Sequence, residues 1–500
     1  MSGVGAYGST SLGATRSDAA FRDLKADLAR LQAQLSTGRV ADNYAGLGAG
    51  AATSLSGRSA LSSVAGHQSN VGDAGVRLSL MGQGVTRLAE IASSLASSLP
   101  TSLGAGPIGQ TSTTLSAEEG LRQAIELLNT EVDGRYLFSG RSPDIVPVAS
   151  YDAMLDGEPG RAGLRQLIAE RKEADAGPDG RGRLAVGGAG SAATLTEEAA
   201  GLPFGLKVAS ATATGTAISA SRSAGPPAAA SITLGGQPAA GETVTLEFGL
   251  PDGSRETLTL TATAAGQTGT AANGFAIGVT PDDTAANLRA ALDTAVAGLV
   301  TTKLASASAH KAANSFLAGS LSGPPERVAG PPFATATALV TGSAANTVIW
   351  YRGDDAAGSA RETAPVRVGE GPPILIGARA NEPGIRAVLV SLAALAAESF
   401  PAGDPTANAR YAALATRISA AAGSAPLAQI AADLSIAHGQ IGAAKSRLAA
   451  EKAQIEDTLA GAENANPSEV AAKLLATQTR LQASYQTTST VARMSLLDFI

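Results

Sequence analysis

Few side chains in this sequence could carry chemistry, and none stands beside a second group that would complete a site. His67, His310 and His438 are its three histidines. They lie far apart, whereas a metal site or an acid/base pair needs two or more groups at helical or hairpin spacing. They read as solvated or packing residues. Asp282-Asp283 and Asp354-Asp355 could in principle be paired carboxylates or calcium ligands. Each pair sits at a turn or a helix start, where Asp is favoured because its carboxylate accepts bonds from free backbone N–H groups. The run Gly46-Leu47-Gly48-Ala49-Gly50-Ala51 loosely fits a dinucleotide-binding fingerprint, but no strand precedes it and no βαβ unit surrounds it. Cysteine is absent, which excludes disulfides, thiolate metal sites and cysteine nucleophiles. The expectation is a chain with no catalytic residue, no cofactor and no metal, not an enzyme.

The composition agrees with that expectation. A length of 500 residues allows several cores, yet only 3% of the residues are aromatic and 16% charged, with 58 Gly among long runs of Ala, Ser and Thr. A net charge of -6 without clustered Lys or Arg gives no electrostatic basis for nucleic-acid binding. Residues 1–16 are rich in Gly and Ser, with neither the basic nor the apolar region of a cleaved signal peptide. The most apolar stretch, residues 387–397, is about half the roughly 20 residues a membrane span requires.

The elements that could position anything are seams of leucine. After Ser17-Asp18, a plausible helix start, Phe21, Leu24, Leu28, Leu31 and Leu35 recur at steps of three and four until Gly38. Beyond a Gly/Ala-rich interruption at residues 44–52, Val71, Ala74, Leu78, Met81, Val85, Leu88, Ala92 and Leu95 continue the alternation, with Pro100 just past the expected end. Ser116 and Glu119 have capping-box spacing and predict a third helix with Leu121, Ile125 and Leu128 inward. The helical block is expected to end at Gly134, with a hairpin over residues 135–148 that carries Tyr136 and Phe138 at a domain junction.

From about residue 150 to 383 the period changes to two. Val244, Leu246 and Phe248 alternate with polar residues, Pro251-Asp252-Gly253 is turn chemistry, and Leu258 and Leu260 resume on the return strand. Phe275, Ile277 and Val279 predict another strand, and Thr280-Pro281 opens a helix with Leu288, Leu292, Val296 and Leu299 on one face. Val348, Ile349, Trp350, Val366, Val368 and residues 374–376 predict a second strand-rich unit. Parts of residues 201–227 and residues 323–332 read as linkers or surface loops. Helices return after Pro383, with a long seam at Leu427, Ile430, Leu434, Ala437, Ile441, Ala444, Leu448 and Ile455. Asn466-Pro467-Ser468-Glu469 then caps a last helix whose apolar positions Val470, Leu474, Leu481 and Val491 are diluted by Gln, Ser and Thr.

The fold class expected is therefore α+β: long antiparallel terminal helices forming a coiled-coil rod, with a β-rich inserted outer domain. Its expected parts are an N-terminal helical core segment (1–40), rod helices and exit hairpin (41–150), outer domain (151–380), C-terminal rod helices (381–465) and a C-terminal core segment (466–500). Two distant segments with matching seams can bury them only against each other or against other chains. The first and last helices are too weakly apolar for a thick private core, so they are expected to order against neighbouring subunits. A head-to-tail contact that does not close builds a filament.

Three segments resemble the flagellin family. Leu35-Ser36-Thr37-Gly38-Arg39 is similar to the turn ending its first helix, and residues 129–140, Asn129 through Tyr136 and Phe138 to Gly140, to its exit from the N-terminal helices. Met494-Ser495-Leu496-Leu497-Asp498-Phe499-Ile500 resembles the ending of the hook-filament junction member more than that of a filament flagellin. The resemblance covers roughly residues 1–150 and 380–500. It implies a flagellin-like fold and a structural role in the bacterial flagellum, supporting motility, either at the hook-filament junction or in the filament. The terminal segments would line a tube, including Leu474, Leu481, Leu496 and Leu497. The implied partners are copies of the same chain or related subunits, other hook-associated proteins and an export chaperone. The implied location is extracellular, reached by flagellar type III export without a cleaved signal peptide. The alternative is a secreted adhesin or coiled-coil surface protein whose β-rich middle binds a target.

Overall fold

The computed structural model describes residues 8–104, 106–264, 273–422 and 426–497, and side chains in all of these except 8–17, 108, 421–422, 426 and 491–497. The chain is mixed helix and sheet, an α+β protein. It divides into two compact units: residues 1–73, 367–372 and 440–500 form the first, and 74–366 with 373–439 the second.

The first unit holds α1 (Gly8–Thr37), a 3-10 turn at Tyr44–Leu47, the opening of α2 (Gly50–Gly104), the last part of α10 (Pro426–Glu463) and α11 (Pro467–Leu497). Helix α1 reaches back well before Ser17, because no proline interrupts residues 8–16 and the hydrogen bonds simply continue. Gly38, at φ +69°, ends it by donating its N–H to the Gln34 carbonyl at 2.9 Å. Asn466 starts α11 as the sequence indicates: its side-chain oxygen accepts from the Ser468 and Glu469 amides, and Pro467 takes the first helical position. Gly46 to Ala51 run from the second half of the 3-10 turn, capped by Asn43, into the start of α2, with no strand before them.

In the second unit, α2 runs through Pro100 to Gly104 instead of stopping short. Hydroxyls of Ser98, Thr101 and Ser102 bond back to carbonyls of the same helix, and Leu99 is buried, so the turn survives the missing N–H. Helix α3 (Gly106–Leu128) begins ten residues before Ser116, which bonds the Ser112 carbonyl in mid-helix and caps nothing. The exit hairpin is likewise earlier and tighter than expected: β1 (Glu131–Val132) pairs with β2 (Arg135–Tyr136). Asp133 and Gly134 both have positive φ, the geometry of a two-residue turn that matches strand twist.

There follow α4 (Tyr151–Leu155), the short pair β3 (Gly157–Glu158) and β4 (Arg161–Ala162), and α5 (Leu164–Ala176). Eight strands then build two four-stranded sheets: β5 (Leu184–Gly187), β6 (Ala192–Glu197), β7 (Lys207–Ala213), β8 (Ile218–Ser223), β9 (Ala229–Leu234), β10 (Thr243–Gly249), β11 (Arg255–Thr263) and β12 (Gly274–Ala276). Their spatial orders are β5-β6-β9-β8 and β12-β11-β10-β7, so strands fill part of the stretch read as linker at 201–227. The predicted β10/β11 hairpin is present with Val244 opposite Leu260 and Leu246 opposite Leu258. Strand β12 is shorter than expected and pairs in parallel with β11; Phe275 is buried, but Val279 is 93% exposed, outside any strand.

Helix α6 (Pro281–Leu299) opens with a full capping box from Thr280 and Asp283 and presses Leu288, Leu292 and Val296 into the core shared by the two sheets. A π-helical turn, Val300–Leu304, leads into α7 (Ala305–Ala318). Val348, Ile349 and Trp350 are buried, but the expected second sheet reduces to two-residue and three-residue pairs: β13 (Glu326–Val328) with β14 (Leu339–Thr341), and β15 (Pro365–Val366) with β16 (Ile374–Leu375). Helices α8 (Pro383–Ala396) and α9 (Ala407–Ala422) complete the unit with the first part of α10.

Candidate assembly interface

In the first unit the two ends of the chain are tied together by backbone and by charge. Val40 donates its N–H to the Glu463 carbonyl at 2.8 Å, Ala465 donates to the Gly38 carbonyl at 2.9 Å, and Arg39 and Asn464 form an antiparallel bridge between them. The Glu463 carboxylate accepts a two-pronged bond from Arg58, Nε at 2.9 Å and Nη2 at 2.7 Å, and another from Ser54 Oγ. Such forked pairs fix geometry as well as charge.

Those bonds, Arg58 first and Ser54 next, hold the Glu463 carboxyl down to about 2. Because the folded value lies below the ordinary one, the clasp's contribution is complete above the usual carboxylate range and drains away as pH falls from there toward 2. Thermal unfolding followed by circular dichroism at about pH 7 and about pH 3 should show a smaller acid loss for Glu463→Gln than for the parent chain. An identical acid loss in both would remove Glu463 from the account.

The seams differ in how well they are covered. On α2 and α10, Val64, Val71, Ile441, Ala444, Leu448 and Leu459 are all buried in the first unit, and Leu459 fills the space over Gly57. In the second unit Leu78, Met81, Val85, Leu88, Ile430 and Leu434 are buried as expected. Ile91 takes the inward place assigned to Ala92, and Leu427, at the start of α10, is only half-buried. Phe138 is fully buried against Gly84, and its carbonyl accepts from the Ala380 amide at 2.9 Å. Tyr136 is half-buried, with its N–H on the Pro143 carbonyl.

Helices α1 and α11 are covered poorly. Phe21 and Tyr485 stack with ring centroids 5.3 Å apart, and Leu31 and Val470 are buried at 6% exposure each. Phe21, Leu24, Leu28, Leu474 and Leu481 are only half-buried, however, and Leu35 is 47% exposed, which corrects its expected place in the seam. Leu475, outside the predicted seam, is 63% exposed, and Tyr485 remains 50% exposed. The side chains of Val491, Leu496 and Leu497, and residues 498–500, lie outside the described set. Leu35, Leu475 and Tyr485 thus leave apolar side chains of these two helices open to solvent.

Three of the four paired aspartates hold local backbone. The Asp283 carboxylate closes the capping box of α6 by accepting the Thr280 amide at 3.1 Å, Asp354 accepts the Ala356 amide, and Asp355 accepts from the Ser322 amide and hydroxyl at 2.9 and 2.6 Å. Among the described residues no group of three or more His, Asp or Glu side chains could hold a metal ion, and no helix is long and apolar enough to cross a membrane. Sequence reasoning missed Ser54, Arg58 and Glu463, which come from opposite ends of the chain and carry no local signal. Tyr485 could have been found, since it continues the steps of Leu474 and Leu481. No family model, curated protein or solved structure matches this chain.

Proposed function

We propose that this chain is a structural subunit of the bacterial flagellum, of flagellin type, which self-assembles through its paired terminal helices and performs no catalysis. One observation carries the reading: α1 and α11 are clasped together at Gly38 to Val40 and Glu463 to Ala465, yet leave Leu35, Leu475 and Tyr485 open. Going back along α1 from Gly38 to Phe21 corresponds to going forward along α11 from Ala465 to Tyr485, the progression of an antiparallel pair. The contacts of Ala462 and Leu459 with Gly50 and Gly57 progress in the same sense, which supports an antiparallel rod of α2 and α10 segments. Open apolar faces on such a rod fit neighbouring copies, and a head-to-tail contact whose rotation does not close extends into a filament.

The resemblance of residues 129–140 supports the family, and that of the C-terminal ending supports placement at the hook-filament junction in preference to the filament shaft. Partners are then identical or related subunits, hook-associated proteins and an export chaperone, with export through the flagellar type III route. Deleting the gene in its source cell is expected to abolish swimming and to leave hooks without attached filaments. Antibody against the β-rich region should decorate the parent cells' surface filaments or their bases. Normal motility and no surface label would overturn the proposal.

A further inference from the structure

Where the β10/β11 hairpin meets helices α7 and α9, four charged side chains form a network bordered by one histidine. Asp252 sits in the hairpin turn, which it folds by accepting from the Ser254 amide at 3.0 Å and hydroxyl at 2.6 Å. Arg417 on α9 donates Nε to Asp252 Oδ2 at 2.6 Å and Nη2 to Ser254 Oγ at 3.1 Å, and its Nη1 goes to the Ala413 carbonyl of its own helix. Glu256 on β11 lies 3.8 Å from Arg417 and 3.5 Å from Lys303, in the turn before α7. The two carboxylates and two cations balance. His310 on α7 faces this group, with Nδ1 4.0 Å from Asp252 Oδ2. Its side chain is 17% exposed, and both ring nitrogens are buried without a hydrogen-bond partner. On the α5 side of α7, Asp175 is already taken by Arg171, Ser308 and the Gly205 amide and offers His310 nothing.

We propose that this cluster is an acid-released latch: protonation of His310 detaches the β10/β11 hairpin tip from α9. A proton on the imidazole makes the buried group net positive. Its nearest attraction, Asp252 Oδ2, already holds Arg417, so either Arg417 gives up the carboxylate or the imidazolium turns toward water. The first outcome breaks the tie that fixes the hairpin on the helix, whereas the second leaves the Arg417–Asp252 bond in place, so the latch is released through the first. Burial holds His310 below its ordinary value, with the Arg417 charge acting in the same direction and Asp252 against it. Burial alone would raise Asp252, yet the Ser254 bonds and Arg417 keep it below the ordinary carboxylate range. The folded imidazole being the weaker base, the closed latch is fully favoured above about pH 6.5 and loses stability as pH falls below it.

The test is hydrogen exchange with mass spectrometry on the full chain at about pH 7 and about pH 5, corrected for intrinsic rates. Peptides covering residues 250–256 and 410–420 should exchange about tenfold faster at the lower pH, while peptides from β6 and β9 do not. In His310→Gln, neutral throughout, that acceleration should vanish. Equal acceleration in parent and variant, or none in the parent, overturns the latch. Should His310→Gln fail to fold, the parent's histidine carbon resonances decide: hairpin opening must follow the His310 titration, and opening at any other pH counts against it.

Discussion

Leu475→Asp should abolish assembly while leaving the isolated chain as stable as its parent. Leu475 is 63% exposed, so in the single chain the substitution removes little buried surface, and exposed positions of this kind change stability by about 0.5 kcal/mol or less. If a neighbouring copy covers this face, each subunit contact gains the larger part of the about 1.5–3 kcal/mol that fully burying a leucine supplies, since the side chain is 63% exposed. Placing an unpaired carboxylate there reverses the sign and adds a desolvation cost of several kcal/mol per contact. In a filament the penalty recurs at every addition, so no length of filament escapes it. Light scattering after seeding reads the assembly effect and thermal denaturation reads the stability. A variant that polymerises like its parent would mean that the α11 face stays in solvent. Leu448→Asp is the informative contrast: that side chain is buried within the first unit, so it should lower stability and assembly together.

Phe248→Ala should produce the largest loss of stability in the second unit. The ring is fully buried near the end of β10, in the core where both four-stranded sheets meet α6 with Leu246, Leu258, Leu288 and Leu292. Truncating a phenylalanine in such surroundings costs about 3–5 kcal/mol, from lost transfer energy and from the cavity left behind. That is a large share of the roughly 5–15 kcal/mol by which domains are stable. Phe248→Leu, which retains most of the volume, should cost far less. Denaturant titration of both variants measures the difference. Similar small losses would mean that the sheets do not share one packed core.

The heptads were legible because a seam of Leu, Val and Ile at steps of three and four has few other uses: Leu78, Met81, Val85, Leu88, Ile430, Leu434 and Leu448 are all buried. Turn and cap chemistry was equally readable at Asn466-Pro467, Thr280-Pro281 and the Pro251-Asp252-Gly253 hairpin. Helix α5 escaped notice for a physical reason. Its inner face joins buried Leu164, Leu167 and Ile168 to charge, with Arg171 paired to Asp175 at 2.8 Å and Glu170 held by Arg327, so the apolar stripe is cut short where the ion pairs begin. Strands β6 and β9 are built largely of Ala, Ser and Thr, whose alternation is faint even though Leu195, Ile232 and Leu234 are buried. The clasp at Glu463 was invisible because Arg58 lies 405 residues away in sequence. Leu35 shows the opposite error: it keeps the step of the seam but sits in the last turn of α1, where α11 does not cover it.

The account rests on the terminal helices being mates whose open side belongs to neighbours. Electron microscopy of the purified full chain after seeding, beside a chain ending before Pro467, tests this most directly. Filaments that lengthen from the full chain, with none from the shortened one, are the expected result. Filaments of equal length and number from both, or a full chain that stays monomeric at every concentration with seeds present, would contradict it.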